Sequence, residues 1–486
     1  MSFFPLRPID VAYLLGALIA SPLWLPRMIR TGKIRTDWRA RFGRVSSAAY
    51  RSGGQPMPAG AEAEAEAEAE AGAGAGAASA SRRPRVLFHA VSVGEVNAIR
   101  QLVDEMARDH EIVIATTTDT GFTRAKAIYG EKHRVVRYPF DFTWSIERFL
   151  GSIRPDLVAL VELEVWPNFL RACAQRDIPV AVVNGRLSAN SFRGYRRVRP
   201  LVRTMFRRLQ MVLAQDDAIA ERFAALGVSP DRIRVVGTMK WDNASVTDTA
   251  DGADELARDF GIDRSRPLIV AGSTGPGEEA LIRSSLPEGC QLLVAPRKPE
   301  RFDEAANVLA PCRRRTKRTA PGSQPDGSDD PPPRYFLLDT IGELRAAYAL
   351  ADVVIVGRTF TPLRGSDMIE PIGLGRATIV GPSTENFESV TRALVVGGGL
   401  IQIRPEELKA TLERLINDQD ERSVLIERGR SVIRRHQGAV ERHALALRSL
   451  INPAAADAAT SSTGAASAVD SHEHAAVTLG EDASGS

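Results

Sequence analysis

Short apolar runs alternate with longer amphipathic stretches along most of this 486-residue chain. In a first block the runs fall at residues 85–89, 111–116, 134–138, 157–162, 179–184, 211–214 and 233–236, with helical periodicity between them at 96–108 and 166–175. A second block repeats the rhythm, with runs at 267–271, 291–295, 335–338, 353–356 and 377–380 and helical stretches near 277–285, 341–349 and 405–417. Continuous apolar runs predict strands buried on both faces, and amphipathic helices between them predict parallel sheets covered on both sides. Two such blocks make an α/β chain of two Rossmann-like domains facing a central cleft. The first domain is expected over residues 85–245 and the second over 246–451, with a hinge near 243–266. A last Arg-rich helix, 421–450, is placed to pack back across the first domain.

Four segments break this rhythm. Residues 11–26, VAYLLGALIASPLWLP, carry no charge but fall short of the roughly 20 residues that a spanning helix prefers, and Pro22 and Pro26 interrupt their end. Trp24 sits where an interfacial aromatic would, and a basic flank follows: Arg27, Arg30, Lys33, Arg35, Arg39, Arg41, Arg44 and Arg51 against Asp37. A cleaved leader fits poorly with Asp10 and the prolines, and a core helix has no neighbouring elements to pack on. Residues 1–50 therefore read as an uncleaved anchor, single-pass or partly inserted, with its basic flank against anionic lipids on the cytoplasmic side. Residues 51–84 contain Ala-Glu and Ala-Gly repeats with no apolar face and read as a solvated linker. The Ala/Ser/Gly-rich stretch 452–486 reads as a disordered tail, and 311–334, with its basic run, as a surface insertion in preference to an anion-binding loop.

The formal net charge of +3 is close to neutral for this length and gives no nucleic-acid signal. Three scattered cysteines form no CxxC pair, which fits a reducing compartment, and the seven histidines form no metal-binding spacing. No Walker A sequence is present, and no GxGxxG follows the first strand of either block, which weighs against NTP hydrolysis and NAD-linked chemistry.

Ligands of doubly wound sheets bind beyond the carboxyl ends of strands, so the polar residues there are the candidates. After the first strand comes Ser92-Val93-Gly94-Glu95, in which Glu95 either caps the following helix or points into the cleft. After the fourth, Glu162 and Glu164 precede Trp166-Pro167; in an extended segment both carboxylates face one side. Asn184-Gly185-Arg186 ends the fifth strand, with Arg186 a candidate substrate contact, and Lys240 follows the seventh near the hinge. In the second block the Gly272–Gly277 turn with Ser273 suits a phosphate or carboxylate, Arg297 offers a cation, and Glu370 could accept bonds from ribose hydroxyls. Each of these residues also has a capping or turn reading.

With these segments in order, the chain resembles the 3-deoxy-D-manno-octulosonic acid (Kdo) transferases of lipopolysaccharide assembly. The resemblance rests on residues 89–95, 162–168, 184–188, 237–240, 272–274, 296–302, 339–344 and 381–387. It implies a GT-B fold, CMP-Kdo as donor, a lipid A precursor of the lipid IVA type as acceptor, no cofactor or metal, and a place at the inner membrane. It implies Glu95 as general base, with Glu162 or Glu164 and Lys240 assisting the transition state. It also implies nucleotide contacts at Pro296, Arg297, Ile341, Gly342, Glu343, Asp367, Met368, Ile369 and Glu370. One segment departs from the pattern: where the family shows Gly-Gly-His-Asn, this chain has Arg364-Gly365-Ser366-Asp367. That departure opens two further readings, a GT-B enzyme for another activated sugar and a non-catalytic membrane-docked scaffold.

Overall fold

The computed structural model describes residues 7–30, 36–45, 82–317 and 334–452. Most of the linker read at 51–84, the tail from 453 on, and residues 318–333 of the interruption lie outside them. The chain divides into two compact units: one runs to Met239 and is resumed from Gly438, and the other is Lys240–Gln437.

The first unit is built on a seven-stranded sheet ordered β3-β2-β1-β4-β5-β6-β7, every pairing parallel. Its strands are β1 (Arg85–His89), β2 (Glu111–Thr116), β3 (Arg134–Arg137), β4 (Leu157–Val161), β5 (Val180–Gly185), β6 (Met211–Ala214) and β7 (Ile233–Val235). Strand geometry sends successive side chains to opposite faces, and each face finds its own core. Leu87, Val158 and Leu160 pack with Phe149 and Phe169 on one side. Val86, Phe88, Leu157 and Val161 pack with Leu102, Met106 and Leu447 on the other. Because both faces are buried, the strands read as unbroken apolar runs.

The second unit repeats the plan with the order β10-β11-β9-β8-β12-β13-β14, again all parallel. These strands are β8 (Leu268–Thr274), β9 (Gln291–Pro296), β10 (Arg313–Arg314), β11 (Tyr335–Leu337), β12 (Val353–Val356), β13 (Ala377–Val380) and β14 (Ile401–Gln402). The first part of the interruption read as a surface insertion is thus an edge strand: Arg313 pairs with Phe336 and Arg314 with Leu337. Its cations are held internally, Arg314 by Asp339 and Asp303, and Arg315 by Glu343 and Asp259.

Where the pattern predicts one final helix over 421–450, the chain makes two, Gln419–His436 and Ala439–Ile451, broken at Gly438 with φ +86°. The second lies in the first unit, where buried His443 donates from Nδ1 to the Ala439 carbonyl at 2.7 Å and accepts the Asn184 N–H on Nε2 at 2.9 Å. Burial keeps this imidazole neutral, its pKa pushed down to about 4, so the ring can serve as an acceptor.

The uncharged N-terminal run extends into a 23-residue helix, Pro8–Arg30, the one helix among the described residues long and apolar enough to cross a membrane. At about 1.5 Å per residue it is about 34 Å long. The prolines at 22 and 26 lie inside it.

Candidate functional site

At the centre of each sheet the strand order reverses, between β1 and β4 in the first unit and between β8 and β12 in the second. Such switch points open a crevice beyond the strand ends. At the first of them, β1 delivers Glu95 and β4 delivers Glu162 and Glu164.

Ser92 is the N-cap of the helix Val93–Ala98 and accepts from the Glu95 N–H at 3.4 Å. The Glu95 carboxylate reaches back, accepting from the Ser92 hydroxyl on Oε1 and from the Val91 N–H on Oε2, both at 2.8 Å. This arrangement resembles a capping box, with the carboxylate bonded to the Val91 N–H and the Ser92 hydroxyl in place of the Ser92 N–H. Capping does not exhaust the side chain, since each carboxylate oxygen keeps a second acceptor position. Desolvation raises the Glu95 carboxyl to about 7, the Val91 and Ser92 bonds oppose it, and the negative charges of Glu162 and Glu164 add to the rise. Glu95 thus holds the start of its helix and is at the same time a carboxyl of raised proton affinity.

Glu162 and Glu164 do not come together by strand alternation. β4 ends at Val161, and Glu162 takes φ +60°, the left-handed region, so the chain turns there. Its N–H still donates to Val183 at 3.0 Å and its carbonyl accepts from the Arg186 N–H at 3.3 Å, which holds the turn against β5. A non-glycine residue in this conformation costs about 1–3 kcal/mol and is a common mark of functional sites. Glu164 accepts from Trp166 Nε1 at 3.2 Å, and desolvation, with help from Glu162, pushes its carboxyl up. Pro167 then opens the helix Pro167–Ala174 at the position where a missing N–H costs nothing.

In the second unit the residues named by the sequence separate into two groups. In the first, Asp367 is near enough to Glu370 to raise its carboxyl. Desolvation pushes the Asp367 carboxyl up, the Ile369 N–H bond at 2.8 Å and the charges of Lys240 and Arg297 pull it down, and solvent still reaches the side chain, so its desolvation is partial. Burial and then Asp367 push Glu370 up, while Arg345 at 3.5 Å pulls it down. Lys240 donates to the Asn386 carbonyl at 2.7 Å, its ammonium 4.0 Å from the centre of the Phe387 ring. Met368 and Ile369 face the core, so only their backbones are available to a ligand. The Ser366 hydroxyl is buried with no hydrogen-bond partner.

The second group surrounds Gly342, whose φ of +102° makes the turn between Ile341, 72% exposed, and Glu343. The Glu343 carboxylate is gripped by Arg315 at 2.8–3.2 Å and held below its ordinary value, first by that contact. Pro296 is buried in β9, and the Arg297 N–H donates to the Thr274 carbonyl at 3.1 Å. Ser273, at φ +57°, and Arg358, at φ +61°, are strained at the two strand ends that flank this switch point. The turn expected to receive an anion is partly engaged already: Glu278 accepts from the Gly275 and Phe360 amides at 2.8 and 2.9 Å and from Arg358 N–H at 2.6 Å. Arg358 was not singled out by the sequence, because its only local signal is its place after an apolar run. Among the described residues no group of His, Cys, Asp and Glu is arranged to hold a metal ion.

Comparison with known proteins bears directly on this arrangement. The family model for 3-deoxy-D-manno-octulosonic-acid transferase matches residues 36–243. A 3-deoxy-D-manno-octulosonic acid transferase from Bordetella pertussis is 32% identical over 376 residues, covering 74% of this chain and 85% of that protein. Another, from Haemophilus influenzae, is 30% identical over 368 residues with the same coverage, 74% and 85%. This chain belongs to the Kdo transferase family.

The transferase also shares its fold with a crystal structure of a glycosyltransferase from Rickettsia africae, at TM-score 0.52 and 11% identity, covering 76% of this chain and 99% of that one. At that identity the likeness concerns the GT-B fold alone. Membership makes the chain a glycosyltransferase. Glu95, Glu162 and Glu164 meet in the first unit; Lys240, Arg297, Asp367 and Glu370 interact electrostatically in the second.

Proposed function

We propose that this transferase moves Kdo from CMP-Kdo to a lipid A precursor of the lipid IVA type, inverting at the anomeric carbon, with Glu95 as general base. The observation that carries this reading is a carboxyl raised to about 7, held by two hydrogen bonds and facing two further acids at a switch point. A base with that pKa is half ionised near neutrality and still strong enough to accept a hydroxyl proton. In the reaction the acceptor oxygen bonds to the anomeric carbon, its proton passes to Glu95, and the bond to the CMP phosphate breaks. In the second unit Lys240 and Arg297 supply positive charge for the departing phosphate, and Asp367, Glu370 and the turn at Gly342 bear on the nucleotide. Ser273 and Arg186 contact substrate, and Glu162 or Glu164 assists by setting the proton affinity of Glu95.

The proposed acceptor is a lipid, and the apolar helix Pro8–Arg30 supports a place for the enzyme at a membrane. Leu18, Ile19 and Leu23 are 69%, 78% and 81% exposed, which suits lipid and not water. Arg27 and Arg30 in the last turns of the helix and Arg39, Arg41 and Arg44 after it form the basic flank that the positive-inside rule assigns to the cytoplasmic side. Purified full-length protein with CMP-Kdo and a tetraacyl lipid A precursor tests the reading. A lipid product heavier by Kdo is expected; no product beside an active control enzyme would sink it.

A second reading, another activated sugar, is favoured by the orphaned Ser366 hydroxyl next to Asp367 in the segment that departs from the family pattern. Thermal stabilisation by CMP, and not by UDP or GDP, decides for Kdo.

A further inference from the structure

The helix Pro8–Arg30 is not a tether joined to the enzyme by chain alone. Asp10, in its first turn, is completely buried, as is Asn168 to within 1% of its surface. A carboxylate in such a place is stable only with its acceptor sites filled. Asp10 accepts from the Thr143 N–H at 2.9 Å, the Thr143 hydroxyl at 2.7 Å, the Arg7 N–H at 3.0 Å and Asn168 Nδ2 at 3.1 Å. One turn on, the Tyr13 hydroxyl donates to Asp141 at 3.1 Å. Asp141 in turn accepts the backbone N–H groups of Asn168 and Phe169 at 3.0 and 2.8 Å, and its carbonyl accepts from Asn168 Nδ2 at 2.6 Å.

Asn168 is thus clasped from both sides, by Asp10 and by Asp141. It is the second residue of the helix that Pro167 opens, directly after Trp166, whose indole holds Glu164. The clasp therefore fixes the start of the helix from which the Glu162–Trp166 turn departs. An apolar helix needs no buried aspartate to enter a bilayer, and four donors gathered from three places in the chain exceed what capping its first turn requires. An aromatic group consolidates the same corner: Tyr13 meets Phe142 edge-on at 6.0 Å, and Trp144 stacks on both Phe142 and Phe42.

We propose that Asp10 and Asn168 are positioning residues, a node through which the seating of the membrane helix sets the Glu162–Trp166 turn and so the environment of Glu95. This rests on the reading of Glu95 as the base. A correctly inserted helix holds the carboxylate cluster in its reactive arrangement, and the enzyme is fully competent only where its lipid acceptor is found.

Full-length protein in detergent and in phospholipid vesicles tests this with two readouts. Asp10→Ala is expected to quicken amide hydrogen exchange in peptides spanning residues 162–172 and to lower kcat by about ten- to hundredfold at unchanged KM for the donor. Asn168→Ala should do the same, and the double variant should lose no more than either single one, since both cut one link. Unchanged exchange, or losses that multiply in the double variant, would overturn the node. Quickened exchange with wild-type kcat overturns it as well when Glu95→Gln is inactive; if Glu95→Gln is also fully active, the fault lies with the reading of the base. Should Asp10→Ala fail to fold, Tyr13→Phe removes one hydroxyl only: a kcat lower by about threefold supports the node, and no change refutes it.

Discussion

The two switch points of this transferase handle negative charge in opposite ways. In the first unit carboxylates face carboxylates: Glu162 and Glu164 raise Glu95, which burial has already raised. In the second unit burial raises Asp367 and Glu370 too, and Asp367 adds to the rise of Glu370, but cations oppose it: Lys240 and Arg297 act on Asp367 and Arg345 on Glu370, while Arg315 holds Glu343 below its ordinary value. Like charges in a desolvated place make a group that takes up a proton readily; cations beside a buried acid offset that rise and supply positive charge for an anion. The same fold, used twice, thus presents two differently charged sites, which suits the proton transfer and the phosphate binding proposed for them. The difference lies in the side chains at strand ends, not in the sheets.

Removing the proton acceptor breaks this contrast most severely. Glu95→Gln should lower kcat by about 10²–10⁴-fold while CMP still stabilises the protein in a thermal shift, because only one of the two sites has been damaged. Lys240→Ala attacks the other side: a fall in kcat of about 10²-fold is expected, with the pH profile left in place, since the lysine is proposed to serve the departing charge and not the base. A shifted pH profile in Lys240→Ala would show that the two sites are not so divided.

A pH series sharpens the comparison further. Activity should rise with pH through about 7 as Glu95 loses its proton. Glu162→Gln removes a charge that raises Glu95, so the midpoint should move to lower pH, whereas Glu370→Gln should leave it where it is. Equal shifts from both substitutions would contradict the separation drawn here.

The smallest expected effect is on stability. The folded pKa of Glu95 lies above its ordinary value, so folding favours the protonated form, and that contribution is fully present below about 4.5 and lost as pH rises through about 7. Glu95→Gln should therefore melt at nearly the wild-type temperature at pH 4.5 and about 2–4 °C above it at pH 8. A difference that is the same at both pH values would mean the carboxylate is not strained by its surroundings.

Much of this was open to reading along the chain. The run at 85–89 is β1 to the residue, and 353–356 and 377–380 are β12 and β13, because a strand buried on both faces has a continuous apolar centre that marks it along the chain. Edge pairing gives no such signal: β10 is two arginines and β14 only Ile401 and Gln402, so backbone bonds alone define them. The helical stretch 96–108 proved to be two helices, Val93–Ala98 and Arg100–Met106, with Ile99 between them keeping the apolar period intact across the break. Glu162 and Glu164 were chosen for the right position but on a wrong geometry, since a left-handed residue cannot be inferred from a glutamate.

What the sequence by itself determined is the class of the protein: buried parallel strands, polar strand ends, an apolar N-terminal helix, and a set of segments matching one family. Those follow from local periodicity and residue identity, which a linear chain carries in full. What only the tertiary structure decided is which strand ends matter together and how they are charged. The strand order selects β1 and β4 from seven candidates, burial turns a capping glutamate into a group that titrates near 7, and Asp10 finds Thr143 and Asn168 across more than a hundred residues of chain. Desolvation and long-range hydrogen bonds depend on who the neighbours are in space, and nothing in the spacing of the residues names them.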